Sequence, residues 1–433
     1  MKRNFWGGVH PEEGKALTMG KAPQRLTAPE RVILPLRQHA GPACRSLVAV
    51  GDVVTVGQKL ADGEGLCVPV HASVSGRVAE IGEYPHPDGG TCLAIVLEND
   101  GKDTPCPTVT APGEPLELDN SRLLELIREA GVVGMGGAGF PTHVKGEAPV
   151  EVLIANGCEC EPYLTSDDLL LQTCPEEVLR GLRVMKKLTG ARRVVLALED
   201  NKPQAQAALR EKLGGQGDVE IVSLVTRYPQ GSEKQLIQAV TGRQVPSGKL
   251  PRDVGCAVFN VTTLWAVSRA VYEGAPVTHR LVTLTGDGVE EPQNFWVPLG
   301  TPFGAVIAAG GGLKEKIWKV ISGGPMMGVA QENLDAPVIK TTGAILCLTE
   351  AQNGEREEPV CIRCGKCVEV CPMGLTPLYL FRYGKREDFK ALERLHLADC
   401  IGCGCCAYVC PGKVPLVRQF KASKKAIKEG KAG

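Results

Sequence analysis

Eight of the 18 cysteines fall in two runs near the C-terminal end of the chain, and the two runs have the same spacing. The first run is Cys361-x2-Cys364-x2-Cys367-x3-Cys371-Pro372, and the second is Cys400-x2-Cys403-x2-Cys406-x3-Cys410-Pro411. Thiolates at this spacing, followed by proline, are the ligand pattern of [4Fe–4S] clusters. The doubled run therefore predicts one-electron transfer through two iron–sulfur clusters.

The two runs are expected to exchange ligands, because in two-cluster ferredoxins the fourth cysteine of each run binds the other cluster. This rule assigns one cluster to Cys361, Cys364, Cys367 and Cys410, and the neighbouring cluster to Cys400, Cys403, Cys406 and Cys371. Cys405 does not keep the spacing and is interpreted as a spectator thiol. Structural zinc is the weaker alternative, since zinc usually takes its ligands from two separated Cys-x2-4-Cys knuckles.

Composition limits the class of protein. A chain of 433 residues exceeds one core and should form two to four domains. Lys plus Arg and Asp plus Glu both number 49, which argues against nucleic-acid binding through a basic surface. The other cysteines, for example Cys44, Cys92, Cys174 and Cys256, show no pattern and are interpreted as buried or spare thiols of a reducing cytoplasm. Neither a signal peptide nor an apolar run of the ~20 residues that span a bilayer is expected.

The chain is predicted to be a multidomain α/β and α+β protein. Apolar runs separated by glycine turns predict a barrel-sandwich-like β domain that resembles lipoyl carriers, but residues 71–76 lack the modifiable lysine of those carriers. A Pro-rich linker is expected at about 103–115. The predicted units are the N-terminal region with this carrier-like scaffold at 1–102, an α/β domain at 116–279, a β-grasp (SLBB-like) module at 280–347, a two-cluster ferredoxin domain at 355–415, and a Lys-rich tail at 416–433. Residues 421–433 of the tail are interpreted as a solvated, mobile end, with a docking arm for an acidic partner or a membrane surface as the alternative.

A glycine-rich loop occupies residues 131–145, which read GVVGMGGAGFPTHVK. Gly134-x-Gly136-x-x-Gly139 matches the dinucleotide fingerprint, but a predicted helix, SRLLELIREAG, precedes it where the fingerprint requires a strand. The glycines still permit close approach of the backbone to a phosphate or a flat ring. A tight turn that binds no ligand is the alternative.

Three further segments carry polar residues next to predicted strands or helices. Asn156–Pro162 follows the strand VEVLIA and holds Glu159 and Glu161 at a strand end, where open α/β sheets bind ligands. Residues 228–235 open a helix whose N-terminus can face a phosphate, and residues 259–264 follow the short strand GCAVF. Each segment alone also fits a cap, a turn or a solvated carboxylate.

Together these segments resemble the flavin-binding subunit of respiratory complex I. Its loop runs Gly-Arg-Gly-Gly-Ala-Gly-Phe-Pro-Thr-x-x-Lys and is followed by Asn-Ala-Asp-Glu-x-Glu-Pro, Tyr-x-x-Gly-Glu-Glu and Asn-Asn-Val-Glu-Thr. The matching positions here are Gly134, Gly136, Gly137, Ala138, Gly139, Phe140, Pro141, Thr142, Lys145, Asn156, Glu159, Glu161, Pro162, Tyr228, Gly231, Glu233, Asn260, Val261 and Thr263. The departures are Met135 for Arg, Cys158 for Asp, Ser232 for Glu, Phe259 for Asn and Thr262 for Glu.

The order of the domains is more similar to that of the RnfC family, the C subunits of the Rnf complexes, which are ion-translocating ferredoxin:NAD oxidoreductases. GGVHPEEGK, REAGVVGMGGAGFPTHVK, NGCECEPY, YPQGSEKQLIQAVTGRQVPSGKLP and SGGPMMG resemble that family, over roughly residues 4–415. The resemblance implies noncovalent FMN, two [4Fe–4S] clusters and NAD(H) as substrate. It also implies membrane and Fe–S partner subunits, a peripheral position on the cytoplasmic face of the membrane, and contact with ferredoxin through another protein of the complex.

The resemblance also implies which residues bind which group. The FMN residues are expected to be Gly134, Gly136, Gly137, Gly139, Lys145, Asn156, Tyr228, Gly231, Glu233, Asn260 and Thr263. The NAD residues are expected to be Phe140, Lys145, Glu159 and Glu161. Because nicotinamide exchanges a two-electron hydride and a cubane accepts one electron, a flavin is needed between them. The expected function is electron transfer between ferredoxin and NAD coupled to Na⁺ or H⁺ transport. The alternatives are an FMN/Fe–S cobalamin reductase of propanediol microcompartments and a non-catalytic electron-transfer adaptor.

Overall fold

The computed structural model describes residues 4–107, 114–215, 217–350 and 359–430. Its first domain is built from short antiparallel strands in two sheets, with the strand orders β2-β8-β7-β4 and β3-β5-β6. Val32, Leu34, Leu60 and Ile95 are fully buried between them. The strands are β2 (Arg31–Pro35), β3 (Arg45–Ser46), β4 (Val53–Val54), β5 (Lys59–Asp62), β6 (Val70–His71), β7 (Gly76–Pro85) and β8 (Thr91–Asn99); β1 (Gln24–Arg25) precedes them.

The second domain is a parallel sheet of four strands in the order β11-β10-β9-β12, with helices on both faces. Alternate strand residues face opposite layers: Leu153 and Leu196 pack with α4 and α7, whereas Ile154 and Val195 pack with α6. Burial on both faces explains why these strands are almost entirely apolar. The elements are α1 (Asn120–Glu129), α2 (Thr142–Gly146), β9 (Val152–Gly157), α3 (Ser166–Thr173), α4 (Pro175–Thr189), β10 (Arg193–Glu199), α5 (Pro203–Leu213), β11 (Glu220–Leu224), α6 (Glu233–Thr241), β12 (Cys256–Asn260) and α7 (Val261–Glu273).

The third domain is a mixed sheet of the β-grasp type. Antiparallel β13 and β14 are followed by a helix, and β17 then pairs parallel with β13. The strand β1 joins this sheet by pairing with β14, so part of the N-terminal region belongs to it. The sheet order is β1-β14-β13-β17-β15-β16, formed by β13 (His279–Thr285), β14 (Gln293–Pro298), β15 (Ile317–Ser322), β16 (Val329–Ala330) and β17 (Ala344–Thr349), with α8 (Phe303–Ala309).

The cysteine runs lie in a small helical domain. Its helices are α9 (Lys366–Glu369), α10 (Pro377–Gly384), α11 (Phe389–Arg394), α12 (Cys405–Tyr408) and α13 (Leu416–Lys428). Residues 355–358, with which this domain was predicted to begin, and residues 108–113 of the predicted linker lie outside the described residues.

The Lys-rich tail is helical as far as Lys428, and the prediction of a solvated end from residue 421 is wrong for its packed side chains, because Ser423 is buried and Ile427 packs against the core of the cysteine domain. Leu416 and Phe420 in α13 are each 3% exposed and belong to the core of the cysteine domain. Their four-residue spacing puts both on one face of the helix, while the lysines occupy the other faces. The Nζ of Lys424 also donates a hydrogen bond to the carbonyl of Cys400 at 2.6 Å. The segment that contains the lysine run therefore forms an amphipathic helix, with its apolar face packed on the cysteine domain.

None of the described helices combines the length and the apolar character that crossing a bilayer requires.

Candidate functional site

The glycine-rich loop is a turn that is closed at its base. Val133 and Pro141 form a β-bridge, and the amide of Gly134 donates to the carbonyl of Phe140 at 2.9 Å. Between these points Gly136 and Gly137 are exposed, and Phe140 is 41% exposed. The part of the loop above this base therefore exposes the backbone of its glycines and the ring of Phe140 to solvent.

The inner side of the loop rests on the start of α7. The amide of Met135 donates to Oγ1 of Thr263 at 2.8 Å. A Cβ on Gly136 would lie 2.6 Å from Nδ2 of Asn260, so only glycine permits this approach. The Oδ1 of Asn260 in turn accepts from the amide of Thr262 at 2.9 Å and caps α7.

Asp167 fixes the orientation of Asn260. Its carboxylate accepts hydrogen bonds from Nδ2 of Asn260 at 2.6 Å and from Oγ1 of Thr262 at 2.7 Å. Burial raises the pKa of Asp167 to about 6, the charge of Glu159 raises it as well, and the Thr262 hydroxyl lowers it. Sequence reasoning missed this residue, because an acidic residue in the first turn of a helix looks like an ordinary helix start.

The segment at residues 228–235 meets the loop, and the segment that begins at Asn156 binds to it in turn. Lys145 in α2 forms an ion pair of 2.6 Å with Glu233, the first residue of α6. The Nδ2 of Asn156 donates to the carbonyl of Gly231 at 2.8 Å. Both ion-pair partners are partly exposed, so the pair itself adds little stability. The position of the pair is more important for ligand binding than its effect on stability, because it places a cation and a carboxylate beside the loop.

The two carboxylates predicted to bind NAD already have protein partners. The Glu159 carboxylate accepts from the amides of Asp167 at 2.7 Å and Asp168 at 3.2 Å, at the start of α3. The Glu161 carboxylate accepts from the amides of Met326 at 3.1 Å and Met327 at 2.9 Å. Burial raises the pKa of Glu161 to about 7, and these two amides lower it. Their assignment to NAD stays a prediction.

Lys15 organises the turn that carries both carboxylates. Its side chain is buried, and its Nζ donates to the carbonyls of Glu159 at 2.9 Å, Glu161 at 3.0 Å and Leu164. The signal available in the sequence was the segment GGVHPEEGK, in which Lys15 is the last residue. The N-terminal region thus contributes to the site as well as to the β scaffold.

Tyr228 connects the α/β domain to the second cysteine run. The side chain is 2% exposed, and its hydroxyl donates to the carbonyl of Cys403 at 2.7 Å. In the same segment, Nε2 of Gln235 donates to the carbonyl of Pro372 at 3.0 Å, next to Cys371. One stretch of chain beside the glycine loop therefore touches both cysteine runs.

Four of the predicted ligands line one cavity of ≈ 370 Å³, including the space at its mouth; they are Cys371, Cys400, Cys403 and Cys406. Its other walls include the apolar side chains Leu375, Leu380, Ile401 and Phe420. Burial raises the pKa of Cys371, and the nearby thiolates of Cys403 and Cys400 raise it further. The last cysteine of the first run thus lies with the second run, as expected if the runs exchange ligands.

The other half of the exchange follows the same pattern. Burial raises the pKa of Cys367, and the charges of Cys410 and Cys361 add to the increase. Cys361 and Cys364 are exposed. Cys405 is fully buried in a small cluster with Val9 and Tyr228, away from the surface.

The spacing of the sulfur atoms disfavours a single metal ion at these runs. A tetrahedral zinc site with Zn–S bonds of about 2.3 Å holds its sulfurs about 3.8 Å apart. In the described part of the chain, no three of the eight sulfurs lie within 4.8 Å of one another. The wider separation leaves room for a polynuclear cluster.

The glycine loop has space for a ligand, and the segment at residues 228–235 that contacts it carries an unsatisfied polar group. No described atom beyond its chain neighbours lies within 4 Å of where a Cβ of Gly137 would be. Gln230, next to Gly231, is fully buried, and neither atom of its amide group has a partner among the described residues. Buried polar groups normally find partners. The residues therefore fit a polar planar ligand such as a flavin.

Models of four protein families match the chain in succession. They are the RnfC barrel sandwich hybrid domain at residues 3–102, the Nuo51 FMN-binding domain at 127–269, the SLBB domain at 281–330 and the 4Fe-4S dicluster domain at 360–414.

The chain is also similar to three curated proteins along most of its length. The C subunit of the proton-translocating ferredoxin:NAD(+) oxidoreductase complex of Clostridium ljungdahlii is 44% identical over 92% of this chain and 88% of its own. The C subunit of the Na(+)-translocating ferredoxin:NAD(+) oxidoreductase complex of Acetobacterium woodii is 44% identical over 98% and 97%. The C subunit of the ion-translocating oxidoreductase complex of Pectobacterium atrosepticum is 41% identical over 98% of this chain and 62% of its own.

This chain belongs to the RnfC family, the C subunits of ion-translocating ferredoxin:NAD(+) oxidoreductase complexes. The family models confirm the predicted fold class and the predicted cofactors, FMN and 4Fe–4S clusters. The domain boundaries and the individual site residues stay predictions.

Solved structures show the same fold at greater distance. A crystal structure of an NAD⁺-reducing [NiFe]-hydrogenase in the H₂-reduced state has a TM-score of 0.51 and 23% identity, and it covers 73% of this chain and 65% of that chain. The air-oxidized state has the same TM-score and 22% identity over 72% and 64%.

Proposed function

We propose that the chain is a peripheral electron-transfer subunit that exchanges hydride with NAD(H) at FMN and passes single electrons through two [4Fe–4S] clusters. The observation that carries this proposal is the hydrogen bond from Tyr228 to the carbonyl of Cys403, at 2.7 Å. It puts the segment whose Glu233 pairs with Lys145 of the glycine loop in direct contact with a proposed cluster ligand. Electron transfer between two centres requires such proximity.

The residues proposed to hold FMN surround the loop described above. FMN supplies the exchange between a two-electron hydride and single electrons. The loop backbone and Lys145 provide N–H groups and a positive charge for a phosphate, and Asn156, Glu233 and Asn260 are polar groups for the ring or ribityl chain. The proposed set is Gly134, Gly136, Gly137, Gly139, Lys145, Asn156, Tyr228, Gly231, Glu233, Asn260 and Thr263.

The NAD(H) site is proposed on the exposed side of the loop. Phe140 is 41% exposed and offers a ring face on which a base can stack. Lys145 adds a cation for the pyrophosphate. Glu159 and Glu161 complete the proposed set, and they are expected to act mainly by shaping the adjacent turn, since their carboxylates accept backbone hydrogen bonds.

The proposed cluster ligands remain Cys361, Cys364, Cys367 and Cys410 for one cluster and Cys400, Cys403, Cys406 and Cys371 for the other. The apolar walls around the second group exclude water, which tunes the potential of a cluster. Cys361 and Cys364 are exposed, which supports a position of the first cluster nearer the surface. We propose that electrons pass there to or from Fe–S partner subunits.

The proposed setting is a complex of several proteins on the cytoplasmic face of the membrane that couples electron transfer between ferredoxin and NAD to Na⁺ or H⁺ transport. The names of the similar proteins support this, because they describe parts of ion-translocating ferredoxin:NAD(+) oxidoreductases. Copurification with integral membrane subunits is the expected outcome. A chain that purifies alone from its native cells would instead favour a stand-alone reductase.

The decisive experiment follows the visible spectrum of the anaerobically purified protein during titration with NADH. Bleaching of the brown iron–sulfur absorption is expected in the wild type.

A Gly137→Ala variant should lose FMN, because the added methyl group meets no described protein atom and can only obstruct a ligand. Gly217→Ala is the matched control, since that glycine is also exposed with free space around its Cβ position. Full FMN content and bleaching in Gly137→Ala would refute the loop assignment, and no bleaching in the wild type would favour a non-catalytic adaptor.

A further inference from the structure

Three side chains of the N-terminal β domain converge far from the two cysteine runs in sequence. The Sγ atoms of Cys44 and Cys67 are 3.3 Å apart, and Nε2 of His39 lies 3.6 Å from the first and 3.3 Å from the second. All three residues are buried. This is the one group of three such ligand atoms within 4.8 Å of one another that the described residues contain.

The distances match those between the ligands of one tetrahedral metal ion. With Zn–S bonds of about 2.3 Å and Zn–N bonds of about 2.0–2.1 Å, ideal S–S and S–N separations are about 3.8 Å and about 3.6 Å. The observed separations of 3.3–3.6 Å differ from these by half an ångström or less. Small rotations of the side chains would bring them to the ideal values.

The histidine ring is held in the orientation that a metal ligand needs. Its Nδ1 lies 3.2 Å from the carbonyl oxygen of Ala40, which therefore accepts a hydrogen bond from Nδ1 and leaves the lone pair on Nε2. Nε2 is the atom that faces both sulfurs. Metal-binding histidines commonly have this second hydrogen bond, because it fixes both the tautomer and the ring.

Two glycines allow the two cysteine-bearing loops to approach each other. Gly41 has a φ of 127°, and a Cβ there would collide with the carbonyl oxygen of Leu66. A Cβ on Gly63 would lie 2.9 Å from Sγ of Cys67 in its own loop and 4.0 Å from Cα of Cys44 in the other loop. Glycine at both positions therefore lets the loop after β2 approach the loop between β5 and β6.

A buried lysine is held next to the loop that carries Cys67. Lys340 is fully buried, and its Nζ donates to the carbonyls of Pro69 and Gly131, both at 2.7 Å. Two thiolates and a neutral imidazole would give a zinc ion no net charge, which suits a buried site.

We propose that His39, Cys44 and Cys67 bind one zinc ion as a structural site that is separate from the two clusters. Mixed thiolate and imidazole ligands select zinc among the common divalent ions. Three protein ligands leave a fourth position, for which the carbonyl oxygen of Val68, 3.3 Å from Sγ of Cys44, or a water molecule is available. The proposal gives Cys44 a role other than that of the spare thiol expected from the sequence.

The proposed zinc site lies next to the glycine-rich loop and contacts it at Gly139. The amide of Ala40 donates to the carbonyl of Gly139 at 3.0 Å, and a Cβ on Gly139 would lie 3.2 Å from the Cα of His39. A metal that fixes the His39 loop therefore also fixes one end of the loop that is proposed to bind FMN.

The test is the metal content of the full-length protein, purified anaerobically and measured by mass spectrometry for zinc and iron. One zinc per chain is expected beside the cluster iron. Cys67→Ser and Cys44→Ser should each lose that zinc and keep the iron. Cys92→Ser is the matched control, because Cys92 lies in the same β domain outside the group, and it should keep both metals.

X-ray absorption at the zinc edge tests the unaltered protein, so the proposal does not depend on variants that fold. A shell of two sulfurs at about 2.3 Å and one nitrogen at about 2.0–2.1 Å is expected. An absence of zinc, or a Cys44–Cys67 disulfide in the purified protein, would overturn the proposal. Zinc in a shell of four sulfurs that survives Cys67→Ser would overturn it as well, because that ion would occupy a cluster site.

Discussion

At the scale of single residues, the site depends on glycines whose replacement by a larger residue would cause a steric clash with a neighbouring side chain. Gly136 does not have a positive φ, so its role is the close approach to Asn260 and not an unusual backbone conformation. Asn260 in turn is held by Asp167, a buried acid whose pKa is raised to about 6. A chain of contacts thus runs from the loop into the core.

Gly136→Ala should lower FMN content. The new methyl group would lie 2.6 Å from Nδ2 of Asn260 and push the amide off its hydrogen bond to Asp167. The loss of that bond to a buried carboxylate is expected to cost about 1–3 kcal/mol. FMN released on heating, per mole of protein, measures the effect.

Gly304→Ala serves as the control for this substitution, because the nearest atoms to its Cβ position, those of Leu334, lie at an ordinary 3.7 Å. Equal FMN content in the Gly136→Ala and Gly304→Ala proteins would contradict the role of the close approach.

At the scale of secondary-structure elements, the connection from β10 to α5 contains a buried ion pair. Nζ of Lys202 lies 3.7 Å from Oε2 of Glu199, and each side chain is 1% exposed. Burial raises the pKa of Glu199 to about 7, whereas the charge of Lys202 lowers it. Because the folded-state pKa lies above the unfolded value, the stability that Glu199 contributes falls as the pH rises to about 7.

Lys202→Met should destabilise the protein more at pH 8 than at pH 6. Without the lysine the pKa of Glu199 rises further, so at pH 6 the acid is protonated and neutral, but at pH 8 folding must bury an unpaired charge. Breaking a buried pair costs about 3–5 kcal/mol. The midpoint of thermal unfolding at the two pH values measures this.

The double variant Glu199→Gln/Lys202→Met supplies the control, because it removes both charges. It should recover most of the midpoint at pH 8 and lose the difference between the two pH values. A Lys202→Met protein whose loss is the same at both pH values would show that the charge of Glu199 is not the cause.

The helix α13 shows how an element can protect a cofactor site from outside the cysteine runs. Phe420 lines the cavity that contains Cys371, Cys400, Cys403 and Cys406. Phe420→Ala should destabilise the cysteine domain by about 3–5 kcal/mol through loss of packing. Faster transfer of iron to a chelator is the expected result, whereas Lys421→Ala, on the exposed side, should behave as the wild type.

At the scale of the whole molecule, the N-terminal segment joins domains that lie far apart in sequence. Val9 pairs with Tyr228, and the amide of Gly8 donates to the carbonyl of Val370 at 2.9 Å. The same segment then continues to Lys15 and to β1 in the β-grasp sheet. It holds the α/β domain and the cysteine domain in one arrangement.

Gly7→Ala should weaken this arrangement and slow the reduction of the clusters by NADH, with FMN content unchanged. Its φ is 73°, and a Cβ would lie 2.7 Å from the carbonyl oxygen of Cys371. Gly20→Ala has nearly the same backbone strain, with a φ of 78°, but no described atom within 4 Å. Stopped-flow absorption measures the rate, and equal rates in the two variants would contradict the role of the contact.

Much of the site was predictable because its signals are local. The cysteine spacing, the glycine loop and the strand ends each lie within about a dozen residues, and they correctly indicated FMN and 4Fe–4S clusters. Asp167, Gln230 and the packed face of α13 were missed, because their roles depend on neighbours from distant segments. From the sequence alone, the lysines of α13 suggested a solvated segment, although the helix also has an apolar face.

The sequence by itself therefore determined the family, the order of the domains and the cofactor classes, since ligand spacing and turn chemistry are encoded over short stretches. Tertiary structure alone decided that Lys15 meets the carbonyl of Glu159 across 144 residues, that Tyr228 reaches Cys403, and that Cys44 and Cys67 meet His39. Such contacts arise from the packing of whole domains, and no local pattern specifies which distant side chains packing brings together.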